Sequence, residues 1–231
     1  MPPFILQTVL LPVLSVAAVV VLGLATTGES SQQRSLVTIP TLGVYNQDNK
    51  VFGGVSYVVV QVDHLEQPVG PELQFNEGSR ALGPVRGSAL SQDWKDAARI
   101  AALAASRAVG QDSRTWLVTL KYISTAYIID GPSVGAALAV AMVAAERGVA
   151  ILQGVAMTGA IDAEGHVLPV GEIPEKVRAG AAAGFSTILI PSGQTRTRDW
   201  DLRSLSESLG VTLIEVAALK DAYSRMTGQS L

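Results

Sequence analysis

The chain has 231 residues, with 17 Lys and Arg against 20 Asp and Glu, a formal net charge of -3, two histidines and no cysteine. With no basic stretch dense enough to neutralise a run of phosphates, nucleic acid is excluded as a partner; without cysteine there are no disulfides, thiolate metal sites or cysteine nucleophiles. The two histidines, His64 and His166, sit in no metal-ligand spacing, so neither a metal nor another cofactor is expected.

The first element in chain order is the uncharged run from Phe4 to Leu24, FILQTVLLPVLSVAAVVVLGL. At about 1.5 Å per residue it covers about 30 Å of hydrocarbon, enough to cross a bilayer once. A cleaved signal peptide is the competing reading, and Gly23 and Ala25 supply small residues of the kind cleavage needs. The run is longer than a typical signal core of about 7–15 residues and no Lys or Arg precedes it, which favours a retained single-pass anchor in the cell membrane over residues 1–25. Arg34 is the first basic residue, too little to fix the side on which the remainder lies. Residues 26–35, TTGESSQQRS, have the small, polar composition of a linker, so a catalytic domain is expected over 36–231.

Leu36 to Val62 is rich in Val, Ile and Tyr and punctuated by Gly43, Gly53 and Gly54, the pattern of a small twisted sheet with VSYVVVQV as one strand. Gln67 to Gly87 carries repeated Pro and Gly and reads as an exposed loop. Trp94, Ala97, Ala98, Ala101, Ala105 and Ala108 recur at helical spacing, with Ser91 or Asp93 as N-cap and Gly110 as stop. Trp116 to Tyr122 is a strand, and after Gly131 and Pro132 an apolar helix runs from Ser133 to Arg147. Val155 to Ile161 and His166 to Val170 flank the turn DAEG as two short strands. Pro174 to Ala183 reads as a helix, STILIP as a buried strand, Asp199 to Leu209 as a helix, VTLIEV as a strand and Ala218 to Met226 as a last helix. The class is α+β, with mixed small sheets and packed helices.

The sharpest chemical signal is GPSVG, Gly131 to Gly135, because a small-residue turn brings a serine hydroxyl and its amides close to a substrate carbonyl. It formally fits the elbow of an α/β-hydrolase, but the only later histidine is His166 and the acids between are Glu146, Asp162 and Glu164, a poor triad. S-x-x-K also fails, since Ala136 stands three residues after Ser133. A base for Ser133 has to come from elsewhere in the chain.

DGPSVGAALAVAMVAA followed by GVAMTGAIDAEGHVLPVGEIPEKVRAGAAAGFSTILIPSG resembles the catalytic core of Lon-type proteases, whose motifs are DGPSAG and TGEI with a downstream G.VLPIGGIKEK. The resemblance places Ser133 at the nucleophile and Lys176, 43 residues later, at the lysine that serves as general base. It gives supporting positions to Thr158, expected to hydrogen-bond the lysine, and to Asp130, expected to shape the nucleophile loop. Departures are Val134 for Ala, Ala160 for Glu, Glu172 for the second Gly of the pair, and Pro174 nearby. Lysine acts as a base only when neutral, and the apolar neighbours Ile173, Pro174 and Val177 suit that state.

No GxxxxGK[ST] occurs in the sequence, so hydrolysis by the chain itself is expected to be ATP-independent and directed at unfolded or flexible polypeptides, or to depend on a separate unfoldase or adaptor for delivery. The resemblance further implies a homo-oligomer, hexameric as in the family. The alternatives are a hydrolase using GPSVG as an elbow and a catalytically inactive, membrane-tethered scaffold that retains the fold.

Overall fold

The computed structural model describes residues 35–77, 90–123 and 131–231. The apolar run expected to form an anchor lies outside them; among the described residues no helix is long and apolar enough to cross a membrane.

The β-rich start folds into one long hairpin, β1 (Leu36–Gln47) and β2 (Lys50–His64), closed at Asp48 and Asn49 with φ of 50° and 59°. Asn and Asp tolerate this left-handed geometry better than other non-glycine residues, which suits a two-residue turn. The Pro- and Gly-rich stretch that follows is not all loop. Glu72–Glu77 forms β3, parallel to β4 (Trp116–Ile123), because Leu73 and Phe75 alternate with polar neighbours and pack against the core, Phe75 edge-on to Trp94. Helix α1 (Gln92–Ala108) begins where expected: the Ser91 side chain accepts the Trp94 N–H at 3.2 Å, and its alanine face is buried.

The expected small sheets are instead one seven-stranded sheet, in the order β3-β4-β2-β1-β5-β8-β9, beside a two-stranded β6-β7 ribbon. Here β5 is Val155–Met157, β6 Ala160–Ile161, β7 Val167–Leu168, β8 Thr187–Pro191 and β9 Thr212–Val216. Within the large sheet only β2 pairs antiparallel with its neighbours, and β1 joins the two halves through its parallel pairing of Thr41 with Met157. The expected strand from Val155 to Ile161 is broken at Thr158 and Gly159, where the chain leaves the large sheet for the ribbon.

Strand alternation divides the interior into two layers. Val37, Ile39, Val58, Val60, Met157 and Leu189 face α1, α2 (Gly135–Arg147) and α5 (Leu219–Thr227). Leu42, Ala156, Ile188 and Ile190 face α3 (Ile173–Ala182) and α4 (Arg203–Leu209). Helix α2 is buried on all sides from Gly135 to Ala145, as a helix apolar all round requires. Helix α4 starts four residues later than the spacing suggests. Thr197 Oγ1 accepts the N–H groups of Asp199 and Trp200, and Leu202 N–H donates to Thr195 C=O, so that stretch is spent in a turn.

Candidate active site

Ser133 lies in a short 3-10 turn, Pro132–Val134, that leads into α2, and so stands just ahead of the α-helix in which the sequence places it. Gly131, just before it, has φ 87° and ψ 158°, a region open essentially to glycine. Among the described residues nothing lies within 4 Å of where a Cβ would stand, so the backbone shape itself favours glycine there. The turn is clamped from below. Gly159 N–H donates to Ser133 C=O at 2.9 Å while Ala136 N–H donates to Gly159 C=O at 3.0 Å. These bonds and the positive end of the α2 dipole fix a half-buried serine among helix-terminal amides, the setting that stabilises an oxyanion.

Thr158, fully buried, donates its hydroxyl to Ser133 C=O at 3.5 Å, and its N–H donates to Leu189 C=O at 3.1 Å. Its side chain therefore supports the main chain of Ser133, where the sequence led us to expect a bond to the lysine. Asp130 lies outside the described residues.

Lys176 sits in the first turn of α3 and is 3% exposed, between Ile173 and Val177, which are fully buried. Burial pushes its ammonium down from 10.5 to about 8, against an opposing pull from the Glu172 carboxylate. An amine held there is neutral in a substantial fraction of molecules just above neutral pH. The helix carrying it is set close to the sheet: a Cβ on Gly53 in β2 would stand 2.0 Å from Glu175 C=O and 2.9 Å from Ala179 Cβ. Ser133 thus stands on the turn ahead of α2 and Lys176 on the first turn of α3, and no hydrogen bond joins their side chains.

Glu172, the departure from the family's second glycine, takes φ 56° and ψ 37° at the N-cap of α3. A non-glycine residue holds that shape at a cost of about 1–2 kcal/mol, which explains why glycine is the ordinary choice. His166 is remote in bonding terms. Its Nδ1 pairs with Asp162 Oδ2 at 2.8 Å on the β6-β7 ribbon, its side chain is 66% exposed, and it makes no hydrogen bond to Ser133. The residue that sequence reasoning missed is Gln194, which holds the turn leading into α3; a glutamine after Pro-Ser-Gly carries no signature of its own.

A family model described as the Lon protease (S16) C-terminal proteolytic domain matches residues 111–221. The archaeal Lon protease of Archaeoglobus fulgidus is 29% identical over 123 residues, 53% of this chain and 19% of that protein. The Lon protease of Methylocella silvestris is 34% identical over 157 residues, 64% of this chain and 19% of that protein. That of Lawsonia intracellularis is 41% identical over 80 residues, 35% of this chain and 9% of that protein. The chain thus spans a fifth or less of the length of these relatives.

Proposed function

We propose that the chain, whose residues 111–221 match the model of the Lon protease (S16) C-terminal proteolytic domain, is a serine endopeptidase of that family working through Ser133 and Lys176. The observation that carries the reading is the placement of Lys176: a lysine buried in an apolar layer, with its ammonium pushed down to about 8, stands at the position where the family pattern has its base. In the reaction the neutral amine takes the proton from Ser133 Oγ and the oxygen attacks the scissile carbonyl. The turn amides hold the resulting oxyanion, the ammonium returns the proton to the leaving amine, and water then hydrolyses the acyl-enzyme. Substrate binding must bring Nζ and Oγ within hydrogen-bond reach, a tightening common between free and substrate-bound enzymes.

The substrates are unfolded or flexible polypeptides, cut without ATP by this chain or delivered by a separate unfoldase or adaptor. The protein acts as a homo-oligomer, a hexamer by family resemblance, held at a cell membrane by the apolar N-terminal segment. Thr158 positions the nucleophile turn, and Asp130 shapes the loop before it.

The test is labelling by a fluorophosphonate together with hydrolysis of an unstructured fluorogenic peptide. Ser133→Ala and Lys176→Arg are expected to lose both, by several orders of magnitude for the nucleophile, whereas His166→Ala keeps them. Arginine retains the charge but cannot yield its proton. Undiminished activity in Ser133→Ala, or an active Lys176→Arg beside an inactive His166→Ala, would overturn the dyad. A folded wild type that neither labels nor cleaves would favour the scaffold.

A further inference from the structure

The approach to α3 runs through Val170, Gly171 and Glu172, and among the described residues a single side chain from outside holds its main chain. Gln194 is 7% exposed, and its amide engages Val170 in both directions: Oε1 accepts the Val170 N–H at 3.0 Å, and Nε2 donates to the Val170 C=O at 2.8 Å. That is the bonding of a paired strand residue, supplied by a side chain to a segment outside any strand. Gln194 is itself fixed from three directions. Trp200 Nε1–H donates to its C=O at 2.8 Å, its N–H donates to Pro191 C=O at 3.3 Å at the end of β8, and the Glu215 carboxylate accepts the N–H groups of Gly193 and Thr195 at 2.9 and 2.7 Å. Two residues beyond Val170 comes Glu172 in its left-handed conformation, whose C=O accepts the Lys176 N–H at 3.2 Å.

We propose that Gln194 is a positioning residue for Lys176: by clamping the Val170 peptide it fixes the strained turn that opens α3, and so the depth at which the amine is buried. The proposal rests on Lys176 being the general base. A glutamine needed only to satisfy Val170 would contribute to stability alone. This one stands between a rigid β8-β9 corner and a turn that no other side chain holds among the described residues, so loosening it lets the first turn of α3 lift and water reach the amine. The charged and titratable groups around Lys176 do not take over that control. Of the charged groups on α3 and on the elements packed against it, Glu172 alone bears on the amine, and it opposes the effect of burial.

Gln194→Met keeps the volume and removes both bonds to Val170; Trp200→Phe removes only the bond that orients Gln194 and serves if the first variant does not fold. Both are made in the full chain, with Lys176 Nζ followed by NMR of lysine-labelled protein, assigned by its loss in Lys176→Met, alongside the pH profile of fluorophosphonate labelling and peptide kinetics. In folded Gln194→Met the titration of Lys176 is expected to move up by about one pH unit as the amine gains water. The labelling midpoint should follow it, and kcat at neutral pH should fall on the order of 10- to 100-fold with KM little changed. Trp200→Phe should move all three in the same direction by less. An unmoved Lys176 titration in folded Gln194→Met, or in folded Trp200→Phe where the first variant fails to fold, overturns the proposal whatever happens to activity. A titration that moves while the labelling midpoint stays put keeps the clamp and instead refutes Lys176 as the base.

Discussion

Replacing Lys176 by Met removes a buried ammonium while keeping an unbranched stem of similar length. The unfolded chain holds the lysine proton up to about 10.5, whereas the folded protein gives it up at about 8. Between those values the unfolded state binds more protons, so the stability of the wild type rises with pH; below 8 both states are protonated and the penalty is present in full. The gap of about 2.5 pH units corresponds to about 3 kcal/mol at pH 7, shrinking to about 1 kcal/mol at pH 10. Lys176→Met is therefore expected to be more stable than the wild type at pH 7, and its advantage should fall by about 2 kcal/mol by pH 10. Urea denaturation followed by tryptophan fluorescence at pH 7, 8, 9 and 10, wild type against variant, reads this directly, since other groups that titrate in the range cancel in the difference. A constant difference across those pH values would refute the reasoning, for it would mean that the amine is as well hydrated folded as unfolded. The same burial predicts that the proposed peptidase activity rises through pH 8 as the base is freed.

Glu172→Gly should relieve about 1 kcal/mol of left-handed strain, seen as a higher urea midpoint, and should lower the pH midpoint of labelling by removing the carboxylate that holds the Lys176 proton in place. Gly53→Ala forces a methyl group against Glu175 C=O and is expected to cost about 1–3 kcal/mol and to reduce peptide hydrolysis, since it pushes α3 off the sheet; unchanged melting and activity would show that the contact is slack. The full-length chain should stay with the membrane pellet after an alkaline or high-salt wash while a chain starting at Ser35 stays in the supernatant, because hydrophobic insertion of the Phe4–Leu24 run does not weaken with salt; release of the full chain by either wash would argue against the anchor.

Those elements whose pattern is local were legible in the sequence. The Ala-rich period of α1 with its Ser91 cap, the unbroken apolar helix α2, and the buried runs of β8 and β9 all state their structure within about fifteen residues. Strand β3 was not legible, because its Pro and Gly flanks mask a strand whose reason to exist is the parallel edge of β4. Nor was the continuity of the sheet: the Thr41 and Met157 pairing joins residues more than a hundred positions apart, and no periodicity records it. At the site, Ser133 and Lys176 are proposed from motifs, and the structure adds the burial of Lys176. The bond from the Thr158 hydroxyl to the Ser133 C=O was not legible, because it depends on the break at Thr158 and Gly159 where the chain leaves the large sheet. Gln194 was invisible, since its function depends wholly on a turn some two dozen residues away.

The position of β1 bears on the order in which the protein comes into being. As the seam of the sheet, β1 leaves the ribosome early yet takes its second neighbour, β5, only after most of the domain has been made, and the bonds from Thr158 and Gly159 that clamp Ser133 come directly after that pairing. Contacts of such sequence separation form late and slowly. The turn that carries Ser133 therefore gains its support only when segments far apart in sequence have met, and on the proposed reading a half-made or misfolded copy has no organised centre.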